Sequence, residues 1–224
     1  FEVFLECRKR DNVNDLFSIN TVKFFLDGVI ESQTALLLEP YLDEEGNKST
    51  HYGVQVWKQA DLNEAIIHAI EGGFQIEVHC IGDGAVEQAL VAFEHAQKQG
   101  LQSSRTKISH IELIKKSQME RFSKLDLTPL LNPYWAEIDD LYFAMLKIIG
   151  EERANRIWPI NSFIESGMRP SMGSDYPITE VPSPFTAIEL GMTRTISKYY
   201  HPWASDYDSG IYNKQLGSDA EKAS

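Results

Sequence analysis

Only two cysteines, Cys7 and Cys80, occur in the 224 residues. That is too few for a disulfide framework, and a chain of this length can bury a core without one. A reducing, cytoplasmic setting is the expectation that follows. Positive charge is scarce too: 21 Lys and Arg against 33 Asp and Glu leave a net charge of −12. Phosphate backbones and anionic membrane surfaces need a basic footprint, so nucleic acid and membrane are not expected partners. No apolar run approaches the length of a membrane-spanning helix, and the start FEVFLECRKRDN lacks a signal-peptide layout. It also lacks an initiator Met, so the expectation is a chain that begins inside a longer protein. No G-x-S-x-G elbow supports a serine hydrolase. Gly82-x-Gly84 lacks the third glycine and the acidic partner of a dinucleotide fingerprint. No H-x-H pair occurs anywhere.

What is present is a series of strand-helix units in a chain of ordinary globular composition, 42% apolar and 24% charged. The first strand is TVKFFLDG (21–28), apolar almost throughout, as a buried parallel strand should be. Residues 29–58 read as a long Gly- and Pro-containing loop, a length that points to a lid or a binding loop. A helix over 59–73 follows, with Asp61 as N-cap and Gly72-Gly73 as its stop. Strand 74–80 then leads to helix 83–100, strand 106–113 to helix 116–125, and strand 127–135 to helical residues 139–157. A short helix (161–167), strand 168–175 and helix 183–199, with Ser183 as cap and Pro184 in the first turn, complete the series. Strand-helix units in sequence predict an α/β fold with a parallel sheet and right-handed crossovers, too few here to close an eight-stranded barrel.

Two histidines and one aspartate stand where hydrophobic β-runs end, in VHCIGDGA (78–85), SHIEL (109–113) and GSDYP (173–177). Singly, each has a plain reading: His79 as a hydrogen-bonded core residue, His110 as half of a His–Glu pair with Glu112, Asp175 as a turn cap. Period-2 geometry sets His110 and Glu112 on one strand face. Taken together, His79, His110 and Asp175 occupy the same place in their own units. Imidazole and carboxylate groups converging from several segments are what a hard or borderline metal ion requires.

Lys23 and Asp27, four positions apart in the first strand, share a face. A buried lysine is costly unless paired or chemically altered, and a Lys23–Asp27 ion pair is the plain outcome. Gly28 lets the backbone turn out of the strand. Tyr134 and Trp135 end their strand as either core or an apolar wall for substrate. Cys80 lies on the opposite strand face from His79 and reads as buried filler. His68 and His95 fall within amphipathic helices, solvated or packed.

The segments TVKFFLDG, PYLD (40–43), GFQIEVHCIGDGAVEQAL, SHIEL and GMRPSMGSDYP, followed by SPFTAIELGMTR, resemble the amidohydrolase superfamily. The similarity is to the amidohydrolase-3 branch, which includes N-substituted formamide deformylase, and it runs across residues 21–196. The H-x-I-G-D segment and the late G-S-D-x-P are its specific parts. The resemblance implies a metal-dependent (β/α)8 barrel of the TIM type, of which this chain would hold strands four to eight. Residues 1–200 would be the partial barrel and 201–224 a polar C-terminal tail or loop.

By that resemblance, His79 and His110 are metal ligands after strands five and six. Asp175, after strand eight, binds the metal and shuttles a proton. Lys23, after strand four, is a carboxylated bridge if two ions are bound. One or two divalent ions, zinc above all, would activate water for attack on the carbonyl of a small-molecule amide, with His110 as an alternative stabiliser of the oxyanion. The family's upstream H-x-H ligands, first three strands and small β-sandwich domain have no counterpart here, so the expected object is a fragment with little activity of its own. Its open edges predict self-association into a homo-oligomer. Two alternatives stand beside this reading: a deaminase of the same superfamily, and a non-catalytic α/β domain that binds a small molecule or a partner chain.

Overall fold

The structure, a computed structural model, describes residues 2–11, 16–180 and 182–195. The expected tail over 201–224 and the end of the expected helix 183–199 lie outside the described residues. In chain order come α1 (Glu2–Asp11), β1 (Thr21–Phe25), α2 (Gln59–Glu71), β2 (Gln75–Cys80), α3 (Asp83–Lys98), β3 (Lys107–His110), α4 (Lys116–Lys124) and β4 (Thr128–Leu131). A 3-10 turn (Pro133–Ala136), α5 (Asp140–Ile149), α6 (Glu151–Ala154), α7 (Ile160–Glu165), β5 (Ser171–Met172) and α8 (Pro184–Thr193) follow. None of the described helices is long and apolar enough to cross a membrane.

The five strands pair in sequence order, β1-β2-β3-β4-β5, and every pairing is parallel. A doubly wound sheet would reverse its strand order at a switch point. Here the winding runs one way, which is the α/β class expected from the sequence, an incomplete α/β barrel. Register separates the two faces. Val22, Phe24, Ile76, Val78 and Ile108 are buried against α2, α3 and α4 and form the main core. Lys23, Phe25, Glu77 and His79 share the other face, where Lys23 pairs across to Glu77 and Phe25 to His79. Phe25 is 53% exposed there.

The helices form where the apolar spacing is helical and stop where the backbone demands it. In α3, Val86, Ala89, Leu90, Phe93 and Ala96 are buried, a 3.6-residue stripe. Gly100, at φ 76°, ends the run. Asp61 does not cap α2: it lies within the first turn, and Lys58 takes the cap position without a side-chain bond. The carboxylate still meets the positive end of the helix dipole. Asp139 does cap α5, accepting from the N–H groups of Leu141 and Tyr142 at 3.0 Å each, worth about 1 kcal/mol. The helical stretch expected over 139–157 breaks at Gly150, φ 79°.

Residues 29–58 are irregular but do not stand free as a lid. Ile30, Ala35, Leu37 and Tyr41 are fully buried or nearly so and pack with Ile81, Leu113, Met145, Ile149 and Trp158 in a second apolar cluster beside the strand ends. Full burial of one such aliphatic side chain contributes about 1.5–3 kcal/mol. The strands are shorter than the expected apolar runs, β1 stopping at Phe25 and the last three for local reasons. β3 ends at His110 because His110 and Ile111 adopt φ of 77° and 49°. β4 ends before Pro133, which has no N–H to continue the ladder. β5 keeps only Ser171 and Met172, which pair with β4 alone among the described strands.

Candidate active site

The site assembles at the C-terminal ends of β1, β2 and β3. Asp27 is its structural knot. Strand β1 has ended by this point, so Asp27 turns inward, 5% exposed, instead of following Lys23 on the open face. Its carboxylate accepts backbone N–H bonds from Ile81 (3.0 Å), Gly82 (2.9 Å) and Leu36 (2.9 Å). Burial pushes its pKa up to about 7 against those three bonds, which favour the charged form. The Lys23–Asp27 ion pair expected from spacing therefore does not form. Lys23 is exposed on the open face and pairs with Glu77, Nζ to Oε1 3.2 Å. Glu77 also accepts from Ser109 Oγ at 3.0 Å.

Two glycines exist here for close approach. A Cβ on Gly28 would stand 2.1 Å from Thr34 Oγ1, and one on Gly82 2.0 Å from the Leu36 carbonyl oxygen. The second contact locks the 29–58 segment onto the turn that follows β2.

His79 lies at the end of β2, and its Nε2 faces the Gly28 carbonyl at 3.2 Å and Asp27 Oδ1 at 3.6 Å. A carbonyl only accepts, so Nε2 carries the proton and Nδ1 the lone pair. Burial, then the nearby His110, lowers its pKa to about 4. By register His110 pairs with Cys80, not with His79, and an unbroken strand would send it to the other face. The left-handed backbone at His110 and Ile111 reverses that direction, at about 1–2 kcal/mol per residue. The two imidazoles then meet edge to face, centroids 4.6 Å apart.

Burial also lowers the His110 pKa. Its Nδ1 lies 2.8 Å from Asn132 Oδ1, and its ring stacks on Trp135 at 5.0 Å and 7°. Glu112 does not share a strand face with His110, because the strand has ended. It is buried, pushed up to about 8 by desolvation and then by the charges of Glu31 and Asp27, and its Oε2 has no hydrogen-bond partner. Trp158 Nε1–H lies close enough to draw that pKa down slightly, yet outside hydrogen-bond geometry. Cys80 is fully buried, as expected of filler.

Asp175 occupies the turn after β5 at φ 54°. Its negative charge raises the pKa of both His79 and His110, so its field reaches the pair, while the charge of Lys23 opposes it at both rings. Of the four residues singled out from sequence, His79 and His110 stand in contact, while Lys23 and Asp175 act on them through their charge. Among the described residues, however, no three His, Cys, Asp or Glu side chains stand close enough to cage a metal ion. As a donor set, two neutral imidazoles and a carboxylate suit a borderline divalent ion. As geometry they make a half-built site.

The residues missed from sequence are Glu77 and Asn132. Asn132 carries the same signal as the histidines, a polar residue closing an apolar β-run, but an amide is not among the usual ligands of a zinc-type ion. The Tyr134 hydroxyl donates to the Ser183 carbonyl, and its side chain lines an apolar cavity of 860 Å³ between α7, α8 and β5. None of Lys23, His79, His110 and Asp175 lines that cavity.

A one-way parallel α/β sheet with two histidines meeting at the C-terminal ends of its strands defines the class: an incomplete α/β barrel. The family comparison specifies it further. The profile of the Amidohydrolase family matches residues 2–206, and the chain belongs to that family. Among similar proteins is LONG AFTER FAR-RED 3 of Arabidopsis thaliana, 26% identical over 89% of this chain and 33% of its own length. N-substituted formamide deformylase of Arthrobacter pascens is 23% identical over 70% of this chain and 28% of its own. An uncharacterized metal-dependent hydrolase from Pyrococcus furiosus has a crystal structure that superposes at a TM-score of 0.70. It is 29% identical and covers 86% of this chain and 39% of its own. The chain spans about a third of the length of the relatives it matches.

Proposed function

We propose that the chain is the strand-four-to-eight region of a metal-dependent amidohydrolase that cleaves amide-type C–N bonds. The observation that carries this reading is the pair of neutral imidazoles, 4.6 Å apart at adjacent strand ends, in the field of Asp175. The likeness to a metal-dependent hydrolase and to a formamide deformylase supports it. His79 and His110 would hold the ion, and Asp175 would complete the donor set and accept a proton on its carboxylate. A bound zinc-type ion supplies Lewis acidity and brings the pKa of water toward neutrality. Lys23 would join as a carboxylated bridge if two ions bind. Carboxylation turns the amine into an anion, which would end its pairing with Glu77.

Zinc titration and amide hydrolysis by the longer protein containing this region test the proposal. The expected result is stoichiometric metal, metal-dependent turnover, and loss of zinc affinity by more than about 100-fold in His79→Ala. The 224-residue chain alone is expected to turn over little. A protein that never takes up metal and hydrolyses no amide would instead fit a non-catalytic binding domain. Release of ammonia from an aromatic or cyclic amidine with a single ion would point to a deaminase.

A further inference from the structure

Resting on that reading, we infer that Asn132 is a positioning residue: it fixes the tautomer of His110 and ties its ring to the turn that presents Asp175. Asn132 follows β4, is 4% exposed, and stands between the two residues it connects. Its Nδ2 lies 3.1 Å from the Gly173 carbonyl oxygen, two residues before Asp175. A carbonyl accepts only, so that end of the amide must be the NH2 group and the other end must be oxygen. The oxygen faces His110 Nδ1 at 2.8 Å and requires a proton there. In the neutral ring this leaves the lone pair on Nε2, the form that can bind an ion or accept a proton.

The arrangement is over-determined. Asn132 holds the ring in its plane, Trp135 stacks on its face, and the His79 ring meets it at 4.6 Å. Gly173 N–H in turn donates to the Leu131 carbonyl at 2.9 Å, so the β4 and β5 ends are joined on both sides of the amide. Such support is needed because His110 is the last residue of β3 and its left-handed backbone turns the ring off the face that the ladder would give it. Outer partners of this kind orient ligands and tune their affinity, typically by about 10–100-fold.

The test reads the tautomer directly in the metal-free 224-residue chain, by long-range 1H–15N correlation on 15N-histidine-labelled protein, with His110→Ala to assign the ring. The native chain is expected to show His110 protonated on Nδ1 and His79 on Nε2. Asn132→Leu should move His110 toward the Nε2–H form and leave His79 unchanged. Asn132→Asp, which keeps the acceptor, should retain Nδ1–H. A native His110 in the Nε2–H form overturns the inference without any variant. So does a folded Asn132→Leu chain with the native tautomer. If the tautomer responds as stated but no zinc binds the longer protein, the metal reading fails and the positioning role stands. If zinc binds the longer protein and its affinity is unchanged in Asn132→Leu, the positioning role fails instead.

Discussion

Glu112 shows most clearly how burial decides the behaviour of a single residue. With a folded pKa of about 8 against an ordinary 4.5, it holds its proton through neutrality. The native chain therefore binds more protons than the unfolded one between those values. Its contribution is fully present below pH 4.5 and is lost as pH rises toward 8. His79, lowered to about 4, acts in the opposite sense: its contribution is present above pH 6.5 and is lost as pH falls through 4. The two oppose each other between pH 4.5 and 6.5, and above that range the carboxyls decide. Thermal melts with chelator present should show stability falling from pH 6.5 to 9 by an amount on the order of 3 kcal/mol. Glu112→Gln keeps the shape without the charge and should remove most of that fall. An equal fall in the variant would assign the loss to other groups.

At the scale of elements, the joint between β1, β2 and the 29–58 segment rests on Asp27 and Gly82. Asp27→Ala leaves three backbone N–H groups without acceptors, two of them buried, each worth about 1–3 kcal/mol, offset by relief of the buried carboxylate. Urea denaturation should show a net loss of several kcal/mol, with Asn at 27 milder. Gly82→Ala puts a methyl 2.0 Å from the Leu36 carbonyl oxygen and should cost roughly 3 kcal/mol or force the segment off the turn. Native-like stability for that variant would mean the segment is not locked there. The strand-helix alternation was legible in sequence because apolar period and Gly stops are local signals. The strand ends were not. Nothing in SHIEL announces that His110 and Ile111 leave β geometry, so the expected strand ran past them and set Glu112 on the wrong footing.

The whole molecule is an open sheet with one face covered by helices. On the other, Lys23 and Phe25 are exposed, and α8, packed on the 3-10 turn after β4, presents Phe185 and Met192 at 84% and 80% exposure. Exposed apolar surface of this kind and unpaired strand edges favour association. We propose that the 224-residue chain self-associates, and light scattering should show mass rising with concentration. Phe185→Lys with Met192→Lys should weaken this with little change in melting temperature. A monomer at every concentration, with or without those changes, contradicts the proposal.

By itself the sequence determined the α/β class and the serial parallel order, and it marked His79 and His110, whose rings meet at adjacent strand ends. Those depend on hydrophobic period and on chain order, both readable along one dimension. Only the tertiary structure decided that Lys23 pairs with Glu77 and that Asp27 gathers backbone donors. It alone decided that His110 reaches His79 by a left-handed turn and that Asn132 holds its ring. Each of these is a contact across strands, set by register and by where a strand stops, and spacing within one segment carries no information about either.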